Sequence, residues 1–234
     1  MGRVPRNGRR SHYAEAITQR NGQGGREVST TGTKRVYGGM SAEQRVAERR
    51  AKLIDAGLNL FGSGESAQVR VKDVVAEAGL TERYFYESFK DMAAFFDAVF
   101  ECAADMIESQ VNAVIVDAPE DGFARVSLAL RTTVELLAAD PRLIRLFFVE
   151  ALGKGDRAGA HRNDILVRAA ENFLHWSTVG TPSGGDGRDA RLKAFAMSGA
   201  TSELLIAWAD GLIDVTPAEL SDFLVGLYWR ANLP

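Results

Sequence analysis

From Ser41 onward, apolar residues recur at three- and four-residue spacing in one segment after another. This periodicity limits the possible folds more than any other feature of the chain. No segment shows the strict alternation of apolar and polar residues that is typical of a half-buried strand. We therefore predict an all-α protein. The predicted helices cover 41–61, 71–78, 81–89, 92–117, 119–139, 141–153, 158–179, 188–210 and 217–232.

Local start and stop signals mark several of these helix ends. Ser41 and Gln44 have the spacing of a capping box, in which each side chain pairs with the backbone N–H of the other residue. Gly79 suits the left-handed position that ends a helix, and Thr81 is a favoured N-cap for the helix that follows. Pro119 lies near another predicted start, where its missing N–H costs nothing.

Composition excludes several classes of protein. Hydrophobic residues make up 46% of the 234 residues and charged residues 25%, which is typical of a globular protein. No run approaches the roughly 20 apolar residues of a membrane span, and no apolar segment follows the basic N-terminus as in a secretory signal. The single cysteine, Cys102, cannot form an intramolecular disulfide or a thiolate zinc site. We predict a cytoplasmic protein with no membrane partner and no cofactor.

The segment 71–89 has the pattern of a helix-turn-helix unit, whose second helix can enter the major groove of DNA. Phe85 and Phe89 are four residues apart in that second helix, so we expect them to face the core together. Three residues that suit phosphates or base edges lie off this stripe, namely Arg83, Tyr84 and Tyr86. The helix is therefore predicted to contact DNA.

This segment resembles the DNA-binding signature of the TetR family of bacterial transcriptional regulators. The resemblance runs through Arg70-Val-Lys-Asp-Val-Val-Ala-Glu-Ala-Gly-Leu-Thr-Glu-Arg-Tyr-Phe-Tyr-Glu-Ser-Phe-Lys-Asp. The preceding stretch Arg49-Arg50-Ala-Lys-Leu-Ile-Asp-Ala-Gly-Leu-Asn-Leu-Phe is similar to the family's first helix, and together they cover about residues 41–101. The resemblance implies a homodimeric repressor that leaves a palindromic operator when a small molecule enters a C-terminal helical domain.

The resemblance also implies roles for individual residues. Thr81 would cap the recognition helix and bind a phosphate, and Tyr86 would contact a phosphate as well. Glu82, Arg83 and Tyr84 would lie at base edges or at the edge of the groove. The full set of implied DNA-binding residues is Arg70, Lys72, Thr81, Glu82, Arg83, Tyr84, Tyr86 and Lys90.

Three residues depart from the family pattern. Arg83 stands where glycine is frequent, Glu87 where histidine is frequent, and Met92 where a lysine usually opens the next helix. The missing lysine removes one phosphate contact, and a carboxylate at Glu87 would repel a nearby phosphate. We therefore expect docking of the family type with altered individual contacts.

Aromatic residues and methionines of the C-terminal part are candidates to line an apolar ligand cavity between helices. The predicted lining is Phe96, Phe100, Met106, Phe147, Phe148, Phe173, Trp176 and Met197. Glu150, Asn172 or His175 would be polar anchors for the ligand. Each apolar residue of the set could instead be plain core.

Apolar stripes on the last two predicted helices are expected to form a four-helix seam across a two-fold axis. The residues of these stripes are Leu204, Leu205, Trp208, Leu212, Phe223, Leu224 and Leu227. The alternative is that the stripes merely close the monomer.

One polar stripe has a spacing that could suggest a metal site. His161, Asp164, Glu171 and His175 fall within about 80° of arc on one helix. Arg168 lies in the middle of this stripe and the opposite face is apolar, so we interpret it as an ordinary solvated face. The sequence has no glycine-rich phosphate loop after a strand and no nucleophile elbow. We predict neither a metal site nor an enzyme.

The expected function is that of a transcriptional regulator, a homodimeric repressor released from double-stranded DNA by a small hydrophobic ligand. Two other classes stay open. A ligand-independent DNA-binding protein would have its C-terminal interior filled by side chains, whereas a helical enzyme would carry converging ionisable groups in that cavity.

Residues 1–40 form a basic arm by composition. They carry eight Lys or Arg against two acidic residues and lack apolar periodicity, so we predict that they are disordered. Residues 41–101 hold eight basic and eleven acidic residues, a balance that is unfavourable beside phosphates. We divide the chain into this arm, a helix-turn-helix domain at 41–91, and a ligand-binding and dimerisation domain at 92–234.

We predict that six residues of the arm add sequence-independent DNA affinity, namely Arg3, Arg6, Arg9, Arg10, Lys34 and Arg35. Deleting residues 1–39 should weaken operator binding and make its salt dependence shallower, because fewer counterions are released, while sequence preference is kept. Operator affinity measured between about 50 and 200 mM salt checks this. Unchanged affinity and slope would show that the arm is a spectator.

Overall fold

The computed structural model describes residues 41–63, 69–148, 158–177 and 187–232, and all regular structure within these ranges is helical. The predicted all-α fold is confirmed. The helices are α1 (Ala42–Ser63), α2 (Val71–Ala78), α3 (Glu82–Ser88), α4 (Met92–Ile115), α5 (Gly122–Ala139), α6 (Pro141–Phe148), α7 (Ala158–Ser177), α8 (Gly187–Ala209) and α9 (Pro217–Asn232). None of them is both long and apolar enough to cross a membrane. The basic arm and Glu150 lie outside the described residues.

Local side-chain chemistry explains where several helices begin. At the start of α1, Ser41 N–H donates to Gln44 Oε1 over 2.6 Å and Gln44 N–H donates to Ser41 Oγ over 3.0 Å, which is the predicted capping box. A second capping box starts α9, where Thr216 N–H donates to Glu219 Oε2 over 2.8 Å and Glu219 N–H donates to Thr216 Oγ1 over 3.2 Å. Both boxes satisfy N–H groups that have no partner within the helix.

One predicted helix start and one predicted capping interaction need correction. Helix α5 begins at Gly122 rather than at residue 119, because Asp121 is the N-cap and its carboxylate accepts the N–H of Ala124 over 2.8 Å. Thr81 occupies the N-cap position of α3 with extended backbone angles, but its side chain makes no capping hydrogen bond. The start of α3 was therefore predicted at the right residue, but the side-chain cap expected from Thr81 is absent.

The described residues fall into two compact units, each with its own core. The first lies within Met1–Leu60 and Glu65–Met106, and its fully buried side chains include Leu53, Val74 and Phe95. The second lies within Phe61–Gly64 and Ile107–Pro234. Its fully buried side chains include Val126, Val134, Leu146 and Leu224. The domain boundaries proposed from the sequence stay predictions.

In the second unit, α7 packs along α8 and α9 packs along α5. Aromatic stacking and one ion pair link α5 to α9. The ring centroids of Phe123 and Trp229 are 4.6 Å apart, and Arg131 Nη1 lies 2.6 Å from Asp222 Oδ1. Burial raises the pKa of Tyr228, whose ring also stacks on Phe123. These contacts join α5 and α9 within the second unit.

Candidate nucleic-acid interface

Helices α2 and α3 meet at the tight turn that the sequence predicts. Gly79 adopts φ 65° and ψ 35°, the left-handed conformation that costs a residue with a side chain roughly 1–2 kcal/mol. Its N–H donates to Ala76 O over 3.3 Å, and the N–H of Leu80 donates to Val75 O over 2.9 Å. These two bonds close the end of α2 and turn the chain directly into α3, so the predicted helix-turn-helix geometry is present.

The inner face of α3 packs into an aromatic cluster. Phe85 is completely buried and Phe89 nearly so, as the sequence predicts. Their ring centroids lie 5.3 and 4.9 Å from that of Phe95 in edge-on arrangements. A Cβ added at Gly57 would lie 2.6 Å from both Phe95 and Val99, so α1 can approach α4 this closely only because residue 57 has no side chain.

The predicted DNA-binding residues lie on α3 and around the starts of α2 and α3, and Lys90 follows α3. The exposed ones of the predicted set are Arg70, Lys72, Thr81, Glu82, Arg83, Tyr86 and Lys90. Tyr84 is half-buried. All eight lie in the first unit. Their contact with DNA stays a prediction, and their exposure is what that prediction requires.

Two arginines of α1 hold α3 in place, and the sequence reasoning assigned neither of them a role. Arg50 Nη1 donates to Ser88 O over 3.1 Å, and its guanidinium carbon lies 4.4 Å from the ring centroid of Phe89. Arg49 is placed likewise, 4.5 Å from the ring centroid of Tyr84. Burial lowers the pKa of Arg50. The carbonyl that Arg50 binds belongs to the last residue of α3, where the helix dipole favours a cation.

One sequence signal points to Arg50. It precedes Leu53 and Ile54 by three and four residues, so it falls on the buried face of α1 although it is charged. A charge on a buried face requires a partner. That signal identifies Arg50 as an internal anchor, but it does not reveal that the partner is on α3.

Arg70 occupies the N-cap of α2 where the family resemblance expects Thr or Ser. Its backbone N–H donates to Asp73 Oδ2 over 3.1 Å, and its Nε lies 3.2 Å from the same oxygen. Asp73 thereby supplies the capping interaction from the first turn of α2. A hydrogen bond of 3.2 Å from Asn59 Nδ2 to Glu77 Oε1 also ties α2 to α1.

The two family departures on α3 face one another. Arg83 Nε lies 2.9 Å from Glu87 Oε1, one helical turn away. This hydrogen bond and the carboxylate's charge raise the pKa of Arg83. Glu87 is therefore paired with a cation, which partly offsets the repulsion expected between its carboxylate and a phosphate.

The predicted ligand-binding residues are distributed over both units. Phe96, Phe100 and Met106 belong to the first unit, and the other five belong to the second. Six of the eight are buried, and the half-buried ones are Phe96 and Phe148. Of the proposed polar anchors, Asn172 is half-buried and His175 is exposed. Their role in binding a ligand stays a prediction.

A small cavity of about 10 Å³ lies in the second unit. Its lining is Phe147, Phe148, Ile165, Leu166, Ser202, Glu203 and Ile206. That volume has room for about one water molecule, whereas pockets for drug-sized ligands measure about 300–1,000 Å³. The lining shares only two residues with the predicted set.

The polar stripe on α7 contains exposed residues and one ion pair. Asp164, Glu171 and His175 are exposed, and the side chain of His161 lies outside the described residues. Arg168 Nη2 pairs with Glu108 Oε2 over 2.8 Å. The described part of the chain contains no group of three or more His, Cys, Asp or Glu side chains arranged to hold a metal ion.

The predicted dimer residues divide by burial. Leu205 is 2% exposed and Leu224 is completely buried, so these two pack inside the subunit and the prediction for them needs correction. Both side chains contribute to the interior of the second unit because α9 packs against α5 and α8. Phe223 and Leu212 are exposed. Half-buried positions are occupied by Leu204, Trp208 and Leu227.

Comparisons with known sequences give a family match that includes the helix-turn-helix unit and relatives that match over a longer stretch. Residues 53–99 match the family model of bacterial regulatory proteins, tetR family. The nucleoid occlusion factor SlmA of Shewanella frigidimarina is 25% identical over 134 residues, which cover 57% of this chain and 67% of that protein. SlmA of Aliivibrio fischeri is likewise 25% identical over 134 residues, 56% of this chain and 68% of that protein.

Solved structures share the fold at lower identity. FadR from Bacillus subtilis, solved in complex with stearoyl-CoA, has a TM-score of 0.62 at 21% identity and covers 76% of this chain and 96% of its own. FadR from Bacillus halodurans has a TM-score of 0.64 at 17% identity, covering 78% and 98%. A TetR-like regulator from Rhodococcus sp. RHA1 has a TM-score of 0.61 at 18% identity, covering 78% and 94%.

We predict that Arg50→Met destabilises the protein by about 1–3 kcal/mol, because it leaves the Ser88 carbonyl without its donor and removes the cation over Phe89. Urea unfolding measures the loss. Lys52→Met is the matched control, since Lys52 is an exposed cation of the same helix paired only across the surface to Glu48, and its effect should stay within about 0.5 kcal/mol. Equal destabilisation by the two variants would contradict the anchoring role of Arg50.

Proposed function

We propose that the chain is a DNA-binding transcriptional regulator with a tetR-family DNA-binding domain, and that it acts as a homodimeric repressor released from a palindromic operator by a small hydrophobic ligand. Regulators of this family are not enzymes. The observation that carries the proposal is the helix-turn-helix unit, in which α3 is anchored on its inner face by buried phenylalanines while arginine and tyrosine side chains line its outer face.

The proposed DNA contacts fall into two groups. Lys72, Thr81 and Tyr86 contact phosphates and set the position of the unit on the duplex. Arg83 and Tyr84 contact base edges or the groove wall, with Glu82 beside them. Exposure of the five side chains other than Tyr84 supports both assignments. Tyr84 is half-buried and lies under the guanidinium of Arg49, which restricts its ring.

The proposed release mechanism uses α4. This helix runs without a break from Met92 to Ile115, and the chain passes from the first unit to the second at Met106 and Ile107 within it. A ligand that displaced α4 would change the separation of the two recognition helices of a dimer. Half-sites lie about 34–36 Å apart, so a change of a few ångströms weakens simultaneous docking.

A long apolar ligand is the preferred effector class. The support comes from the similar fold of FadR, which was solved with stearoyl-CoA, and from the apolar side chains around the small cavity between α6, α7 and α8. Phe147, Phe148 and Ile206 would have to move apart to admit such a ligand. The ligand would then select an opened arrangement of these helices over the filled one.

A second candidate function is ligand-independent DNA binding. The small volume of the cavity beside Phe147 favours it, because a ligand could enter there only by displacing side chains. The relatives are also named nucleoid occlusion factor, a name that refers to the nucleoid and mentions no ligand. The same DNA-binding surface serves both candidates, and only the response to a ligand separates them.

We predict that the protein binds the DNA upstream of its own coding region with sequence preference and that a long-chain acyl-CoA weakens this binding at least tenfold. The measurement is fluorescence anisotropy of labelled upstream DNA against a scrambled duplex, with stearoyl-CoA, free CoA as the control, and cell extract fractions. Sequence-specific binding that no fraction alters would establish the second candidate. Equal affinity for both duplexes would overturn the proposed function itself.

We propose that the dimer forms through exposed residues of α8 and α9, with Phe223 at its centre because half of this large apolar side chain is exposed. Leu227 follows it by one helical turn and is half-buried. Leu204 and Trp208 would contribute from α8, the latter fixed by a 2.9 Å hydrogen bond from its Nε1 to Val215 O.

We predict that Phe223→Asp raises the dimer dissociation constant at least tenfold, because it places an unpaired charge in an apolar contact. Sedimentation velocity at micromolar concentration should show the wild type at twice the 25.4 kDa of one chain. Val116→Asp is the matched control, an exposed apolar residue of the same unit outside α8 and α9. A wild type that sediments as a monomer removes the proposal.

A further inference from the structure

The Arg83–Glu87 pair stands at the centre of the outward face of the recognition helix. At about 100° of rotation per residue, Phe85 and Phe89 point within about 40° of one another, and Arg83 and Glu87 point roughly opposite to them. Both phenylalanines are buried, whereas 83% of the Arg83 side chain and 43% of the Glu87 side chain are exposed. Tyr84 and Tyr86 flank the pair on either side. The pair is therefore the part of α3 that projects furthest from the core.

The chemistry of the pair leaves one recognition group available. Arg83 is the only cation within Glu82–Ser88, so α3 has a formal charge of −1. Glu87 accepts a hydrogen bond from Arg83 Nε over 2.9 Å. The two terminal Nη groups can still donate in parallel. Two parallel donors match the O6 and N7 acceptors of guanine, which arginine reads in the major groove.

We propose that Arg83 reads a guanine in the operator through its Nη groups and that Glu87 is a positioning residue that makes this reading selective. The inference rests on the proposed sequence-specific DNA binding. Held by Glu87, the guanidinium presents its fork to a base edge rather than bending toward a phosphate. The carboxylate also repels phosphates, so it weakens binding to arbitrary DNA more than binding to a site whose guanine engages Arg83.

Two energetic points decide why selectivity, rather than affinity, is the expected effect. An arginine that is free to contact a phosphate strengthens binding to every sequence by counterion release. A Glu–Arg pair on an exposed helix face is worth only about 0.2–1 kcal/mol, so it does little for folding stability. Loss of the bidentate contact between arginine and guanine at a mismatched site costs more free energy than this pair is worth. Glu87 thus lowers affinity for non-specific DNA at little cost to the specific complex.

The test begins with selection of preferred sites from a random duplex library by the full-length wild-type protein. Affinities of the selected site, of the same site with its guanine replaced by 7-deazaguanine, and of a scrambled duplex are then measured for wild type, Arg83→Ala, Glu87→Ala, Glu87→Gln and the double variant R83A/E87A. Glu48→Ala is the matched control, because Glu48 forms an i,i+4 pair of 2.8 Å with Lys52 on α1 of the same unit. Thermal unfolding of each variant verifies that it is folded.

The expected results form a double-mutant cycle of Arg83 and Glu87. Arg83→Ala weakens the selected site about ten- to hundredfold and abolishes the sensitivity to 7-deazaguanine. Glu87→Ala strengthens binding to scrambled DNA and lowers the ratio of specific to scrambled affinity about two- to fivefold, with a steeper salt dependence. Glu87→Gln falls between Glu87→Ala and wild type. In the Arg83→Ala background, Glu87→Ala leaves the ratio unchanged, and Glu48→Ala leaves the wild-type ratio unchanged.

Three outcomes would overturn the proposal in different ways. If selection returns no preferred sequence, the proposed function fails together with it. If a preferred site emerges and Arg83→Ala does not alter its sensitivity to 7-deazaguanine, Arg83 does not read guanine. If Glu87→Ala changes the ratio equally with and without Arg83, Glu87 acts by general charge and is not a positioning residue.

Discussion

The burial of Phe85 and Phe89 against Phe95 is the contact on which the rest of the DNA-binding unit depends. Helix α3 has seven residues, and isolated helices shorter than about 12–15 residues are only marginally stable in water. Its persistence therefore comes from tertiary contacts on its inner face. Gly57 makes room for the Phe95 ring, and Arg50 secures the final turn. The outward side chains are presented by a helix that its surroundings hold in place.

Local chemistry explains why the sequence predicts the fold well. The capping box of Ser41 and Gln44, the left-handed Gly79 and the buried Phe85 each depend on residues within a few positions, so a reader of the sequence can recognise them. The error at α5 has the same origin. Pro119 is a generic start signal, whereas Asp121 supplies the actual cap, and both lie within three residues of the true start.

Contacts between distant parts of the chain explain what the sequence could not predict. Arg50 meets Ser88 across 38 positions, and no spacing rule connects them. Apolar periodicity places Leu205 and Leu224 on stripes but does not say whether a stripe faces its own subunit or a partner. The volume of the cavity beside Phe147 depends on how side chains from three helices interlock. Such properties belong to the packed structure and not to any one segment.

The anchoring of α3 by Arg50 has a consequence for cellular conditions. A histidine in this position would lose its positive charge near neutral pH, and a lysine would lack the planar group that lies over Phe89. Burial lowers the pKa of Arg50, yet a guanidinium stays charged at every physiological pH. The charge that holds the end of α3 is therefore insensitive to pH across the physiological range.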